Sequence, residues 1–127
     1  MIISLPTHAA ELVVIVHASN TVTLTQAYIK RLFLGKIVYF PGGKAAIPIN
    51  VQSGTDLRST FERTILNKSS AQVRSYWAKR VFTGKGGPPK EAHLNEIVQM
   101  IANNPRMIGY TTGITNLSAQ VRVIGHY

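Results

Sequence analysis

Ile47-Pro-Ile-Asn-Val-Gln-Ser-Gly-Thr-Asp-Leu-Arg-Ser-Thr-Phe-Glu-Arg-Thr-Ile-Leu66 is the stretch on which the reading of this chain turns. Ile47, Ile49 and Val51 alternate with Pro48 and Asn50 as in a short strand, and Leu57, Phe61, Ile65 and Leu66 then recur at helical spacing. A strand therefore passes directly into a helix. Ser53 followed by Asp56 resembles a capping box, which makes Ser53 the expected N-cap, and Gly54 allows the sharp turn. The first amides of a helix lack intrahelical acceptors, so such a turn aims free N–H groups and hydroxyls at one place, a seat suited to an oxyanion.

Working outward, Glu11 to His17 is a nearly continuous β-branched run, the pattern of a strand covered on both faces. Thr23 with Gln26 reads as a capping box opening a helix through Leu34, closed by Gly35. Lys36 to Lys44 begins as a candidate strand and ends in the turn signal Pro41-Gly42-Gly43. Beyond the central stretch, Ser69 and Gln72 form a further capping box. The helix behind it is expected to turn Val73, Tyr76, Trp77, Arg80 and Val81 to one side, with Trp77 as a core anchor. Thr83 to Lys90 is glycine-rich and basic, but it lacks the spacing of a phosphate-cradling loop and reads as a surface connection carrying Lys85. Glu91 to Asn103 reads as a helix with Leu94, Ile97, Val98 and Ile101 inward. Met107 to Tyr110 is a strand, Thr111 to Ala119 a polar loop, and Val121 to Ile124 a closing strand. Strands alternating with helices imply an α/β sheet covered by helices on its faces.

With 127 residues, 45% of them hydrophobic, the chain suits one domain, expected over residues 11–127. Residues 1–10 are apolar and then small, with a small-x-small pattern at Thr7-His8-Ala9, and read as the remnant of a signal peptide. No window is long and apolar enough to embed the chain in a membrane. The absence of cysteine excludes disulfides and thiol chemistry. The four histidines lack metal-ligand spacing, the five acids form no obvious pair, and Ser53 sits in no nucleophile elbow. No metal, no cofactor and no enzymatic activity are therefore expected. Fourteen Lys and Arg give a net charge of +9, which favours anionic partners. Those cations are spread along the chain and belong to no nucleic-acid motif, so non-specific nucleic-acid binding stands only as an alternative.

Three segments in order resemble the phosphate-binding proteins of ABC transporters. Leu24 through Ile37, with Leu32-Phe33-Leu34-Gly35-Lys36-Ile37, is similar to that family's L-x-x-x-x-L-x-x-I-F-x-G-K-I segment. Ser53-Gly54-Thr55 followed by Phe61 is similar to its Ser-Gly-Thr anion turn, and Asn104-Pro105-Arg106-Met107-Ile108-Gly109-Tyr110 resembles its N-P-G-A-I-G-Y strand. The resemblance implies an α/β fold of one three-layer lobe of the type II periplasmic-binding-protein kind, a central mixed sheet with helices on both faces. It also implies a periplasmic location, capture of phosphate or a similar oxyanion, and an ABC permease or a sensor protein as partner. Ser53, Gly54 and Thr55 carry over as ligand-binding residues. The family's Arg and Asp shortly before Ser-Gly-Thr are replaced here by Ile49 and Val51, and Arg58 reads equally as a substitute counter-charge or as a solvent-facing Arg. Only one lobe of the two-lobed cage is represented, so an interaction module that kept the fold and lost the ligand is a further alternative.

Overall fold

The computed structural model describes residues 11–113 and 117–127. The expected signal-peptide remnant, 1–10, and part of the 111–119 loop lie outside the described residues. The chain runs β1 (Leu12–His17), α1 (Gln26–Phe33), β2 (Ile47–Val51), α2 (Asp56–Phe61), a π-helical turn (Glu62–Leu66), α3 (Ser70–Phe82), β3 (Lys90–Ala92), α4 (Leu94–Ala102), β4 (Met107–Thr112) and β5 (Val121–His126). The strands form one mixed sheet in the order β3-β2-β4-β1-β5. β2 runs parallel to both β3 and β4, whereas β1 is antiparallel to β4 and β5. The C-terminal ends of β2, β3, β4 and β5 consequently share one edge of the sheet with the N-terminal end of β1.

Two neighbouring residues of β4 show how the helices are layered. A Cβ on Gly109 would meet Ile101 and Ile97 of α4, while Tyr110 packs its ring on Phe61 of α2 and Phe33 of α1. Successive residues of a strand face opposite sides, so α4 covers one face and α1 with α2 the other. That sandwiching explains why Leu12 to Val16 are all buried: β1 is apolar on both faces because both are covered. Each such side chain contributes about 1.5–3 kcal/mol by leaving water. Among the described residues no helix is long and apolar enough to cross a membrane.

Several local expectations shift. α1 is capped by Thr25, whose hydroxyl accepts from the Tyr28 amide, and not by Thr23; the Gln26 side chain reaches Thr64 O at 2.7 Å instead of closing a box. Lys36 to Lys44 forms no strand, only a single antiparallel bridge between Tyr39 and Ala45. The Ser69–Gln72 box is complete, with both reciprocal bonds, at the start of α3. In α3, Val73 and Trp77 are buried, but Val81, one turn further on, is 57% exposed, so the buried stripe of the helix ends at Trp77. The helix expected from Glu91 begins only at Leu94, itself exposed, because Lys90 to Ala92 pair with Ile49 to Val51 and become β3.

Candidate functional site

At the end of β2 the chain leaves the sheet through Gln52, Ser53, Gly54 and Thr55, all exposed. Gly54 has φ +87°, the left-handed conformation that a side chain disfavours, and this is what makes the reversal possible. Thr55, not Ser53, is the N-cap of α2. Its hydroxyl accepts from the Arg58 amide and donates to Gln52 O at 2.9 Å, which closes the turn on itself. The cap moves two residues because the sharp bend at Gly54 must precede the first helical residue, leaving Ser53 on the strand side of the bend.

The turn's donors divide into two groups. The Gln52 amide bonds Ala92 O at 3.0 Å, and the Ser53 amide donates to Glu91 Oε1 at 3.1 Å. The amides of Gly54, Thr55, Asp56 and Leu57 have no acceptor among the described residues. Arg58 is not solvent-facing. It is 8% exposed, its Nη1 donates to Val51 O at 2.8 Å and stands 3.7 Å from Glu91 Oε2, and its Nε pairs with Glu62 Oε2 at 3.3 Å. Glu62 in turn accepts from Ser70 Oγ at 2.6 Å, so a buried chain of charge-assisted bonds runs from α3 through Arg58 to the turn. The structure thus gathers Ser53, Gly54, Thr55 and Arg58 within one neighbourhood and adds two residues that sequence reasoning missed. Glu62 and Glu91 lie 29 positions apart, and only the β2–β3 pairing brings Glu91 over the turn.

Beneath the turn lies Tyr110. The Val51 amide donates to its hydroxyl at 3.1 Å and the hydroxyl donates to Asn50 Oδ1 at 2.9 Å, both buried. Burial raises the Tyr110 pKa well above its ordinary value, an effect larger than the opposing contributions of the Val51 amide and the Arg58 charge. The phenol is a neutral buttress for the end of β2. Within the Thr83 to Lys90 segment the Lys85 carbonyl is held by Arg80, which also bonds Gly35 O, and the segment's end enters β3 beside Glu91.

The architecture is an α/β fold, a mixed sheet with helices on both faces and a turn at its carboxyl edge. It is shared with proteins of phosphate transport. No protein-family model matches the chain, and no curated protein matches it. Solved structures do. A candidate phosphate ABC transporter substrate-binding protein from Clostridium perfringens, solved with bound phosphate, superposes with a TM-score of 0.69 at 18% identity over 91% of this chain and 45% of that one. An ABC-type phosphate transport receptor from Vibrio cholerae gives 0.67 at 15% identity, covering 91% and 46%, and PstS from Borrelia burgdorferi 0.61 at 17%, covering 82% and 42%. The chain spans about half the length of each. At these identities the likeness establishes the fold.

Proposed function

We propose that this chain is a solute-binding lobe that takes a small oxyanion, phosphate first, at the Gln52 to Thr55 turn. The observation that carries the reading is the Glu91 carboxylate. It is itself an oxyanion, seated on the Ser53 amide and facing the Arg58 guanidinium, and it marks where a free anion would sit. The Glu91 side chain is 43% exposed and can rotate into solvent, which frees the Ser53 amide and the Arg58 guanidinium it now holds. Backbone amides at a helix start with one buried cation beneath are suited to a tetrahedral anion. Fold similarity to phosphate-binding proteins supports the same ligand class. On this reading Ser53, Gly54 and Thr55 contact the anion and Arg58 supplies charge. No reaction is catalysed, and the setting is periplasmic, with an ABC permease or a sensor protein as recipient. Binding is weak because Glu62 already offsets Arg58 and Glu91 competes for the seat.

The test is calorimetric titration with phosphate and sulfate of the wild type and of Glu91→Gln. Removing the resident charge is expected to strengthen phosphate binding by roughly tenfold, the worth of one charge-assisted contact. Thr55→Val is expected to weaken it. Heat in neither protein would favour the second reading, an interaction module of the same fold whose anion seat is filled permanently from within. A specific feature speaks for that alternative: Glu91 already accepts from the Ser53 amide and faces Arg58, so the seat is filled by the chain's own carboxylate.

A further inference from the structure

At the edge of the sheet where β1 ends and β2 and β4 begin, the surface is lined without a single acidic residue. A cavity of about 670 Å³ opens there, lined among others by Asn20, Tyr39, Pro41, Lys44, Asn104 and Arg106. That volume suits an organic molecule with a body, and is far more than an inorganic ion needs. Lys44 and Arg106 form no ion pair among the described residues, which include all five acids. Both cations therefore keep their charge available to a ligand.

The walls of this cavity are individually fixed. The 18–22 segment is held by Arg122, whose guanidinium donates to Asn20 O and Val22 O at 2.7 to 2.9 Å. The 39–45 segment is closed by the Tyr39–Ala45 bridge and by the Phe40 amide on Lys44 O at 2.8 Å. On the third side the Arg106 amide donates to Asn104 Oδ1, and the Val22 amide to Asn20 Oδ1. With their oxygens so engaged, the Nδ2 groups of Asn20 and Asn104 remain as donors with no acceptor among the described residues. Tyr39, 54% exposed, adds an aromatic surface at the same cavity.

Two unpaired cations, two amide donors, a phenol ring and no acid describe a receptor for one anionic group joined to a flat ring. We propose that this cavity binds an organic monophosphate bearing a planar ring, of nucleotide size, at a site separate from the Gln52 to Thr55 turn and independent of it. Phosphate is favoured over carboxylate because it presents enough acceptor oxygens for both cations and both amides. Base–aromatic stacking on Tyr39 supplies the body's share of the affinity.

The test is an NMR titration of the labelled protein at about 150 mM NaCl, where diffuse attraction to the basic surface is screened, using AMP, adenosine and inorganic phosphate as probes. AMP is expected to shift amides of residues 19–22, 39–45 and 104–106. The double variant Lys44→Gln, Arg106→Gln is expected to weaken AMP by about tenfold or more, Tyr39→Ala by several-fold, and Lys79→Gln, an exposed cation outside the cavity, not at all. All four residues are exposed, so the variants keep the fold. Adenosine and phosphate are each expected to bind at least about tenfold more weakly than AMP. The proposal is overturned if AMP shifts only residues 52–55, if it shifts nothing, if Lys79→Gln matters as much as the double variant, or if inorganic phosphate equals AMP. Failure of phosphate to bind at the turn would leave this result untouched.

Discussion

The ring of Tyr110 lies flat on that of Phe61, centroids 3.8 Å apart and planes 3° from parallel, while its hydroxyl crosses to the neighbouring strand to bond Asn50 and Val51. One residue thereby ties β4 to α2 through its face and to β2 through its tip. The tie is needed because the β2–β4 ladder stops early: Ile47 and Pro48 pair with Met107 and Ile108, and no pairing continues beyond them. Tyr110→Phe keeps the stack and removes the oxygen, leaving the buried Val51 amide and Asn50 side chain unmatched. The expected loss is about 1–3 kcal/mol in urea unfolding, with the m-value unchanged. A loss below about 0.5 kcal/mol would mean that the hydroxyl contacts are replaced by water.

The same residue predicts a pH dependence. Burial raises its pKa, so the folded protein keeps the phenolic proton at alkaline pH where the unfolded chain releases it near the ordinary value of about 10. The folded state then binds more protons than the unfolded one. Stability from this source is fully present below about pH 10 and declines above it, by up to about 1.4 kcal/mol per pH unit. Tyr127 is shifted in the same direction by partial burial, so the comparison must be between wild type and Tyr110→Phe. Urea midpoints measured from pH 8 to 11 are expected to converge as pH rises; parallel curves would contradict the assignment.

Arg58 and Glu62 form an ion pair with side chains 9% and 4% exposed. Removing Glu62 leaves the buried Arg58 charge with only the half-exposed Glu91 at 3.7 Å, and Glu62→Ala is expected to cost about 3 kcal/mol, the low end for breaking a buried pair. Replacing both with apolar residues, Arg58→Met with Glu62→Leu, is expected to cost less than the sum of the single changes, since neither charge remains to be desolvated. A coupling energy under about 0.5 kcal/mol in the double-mutant cycle would show that the two act independently.

The parts of the fold that sequence made legible are those fixed by local pattern. The buried run of β1, the extent of β2, the Ser69–Gln72 box and the Asn104-Pro105 stop before β4 all appear where residue type requires them. What pattern misplaced was decided by contacts distant in sequence. Gln26 was free to complete a box with Thr23, but Thr64 offers its carbonyl from 38 residues away. Lys90-Glu91-Ala92 carries no alternating apolar signal and becomes a strand only because the edge of β2 is open to it. The site was legible as a turn with Gly54 at its bend. Its charge balance was not, since Arg58 reads equally as a counter-charge or a surface cation until Val51 O, Glu62 and Glu91 are seen around it.

At Gly109 the sheet and α4 approach so closely that a Cβ would lie 2.9 Å from Ile101 Cδ1 and 3.3 Å from Ile97 Cγ2. The obstructing atoms are ends of side chains, not backbone, so the helix need not move. Gly109→Ala is expected to cost about 1–3 kcal/mol by overpacking. Adding Ile101→Val deletes the atom in the way and should recover part of the loss, although Ile101→Val alone is destabilising by about 0.5–1.5 kcal/mol. Thermal unfolding of the two single variants and the double variant decides the matter; strictly additive losses would place the strain in the backbone.

Which residue caps α2 can be settled by stability alone. The Thr55 hydroxyl satisfies the Arg58 amide and also holds Gln52 O, whereas the Ser53 side chain makes no hydrogen bond among the described residues and its position is fixed through its amide. Thr55→Ala is expected to cost about 1–2 kcal/mol, the range for losing an N-cap, and Ser53→Ala to lie within about 0.5 kcal/mol of wild type. Thr55→Ser keeps the oxygen and should restore most of the loss, which separates capping from the effect of the methyl group. The contrast bears on the anion seat as well. If Ser53→Ala leaves stability unchanged yet weakens phosphate binding, its hydroxyl serves the ligand; if Ser53→Ala proves the more damaging of the two, the helix begins where the sequence pattern alone would put it.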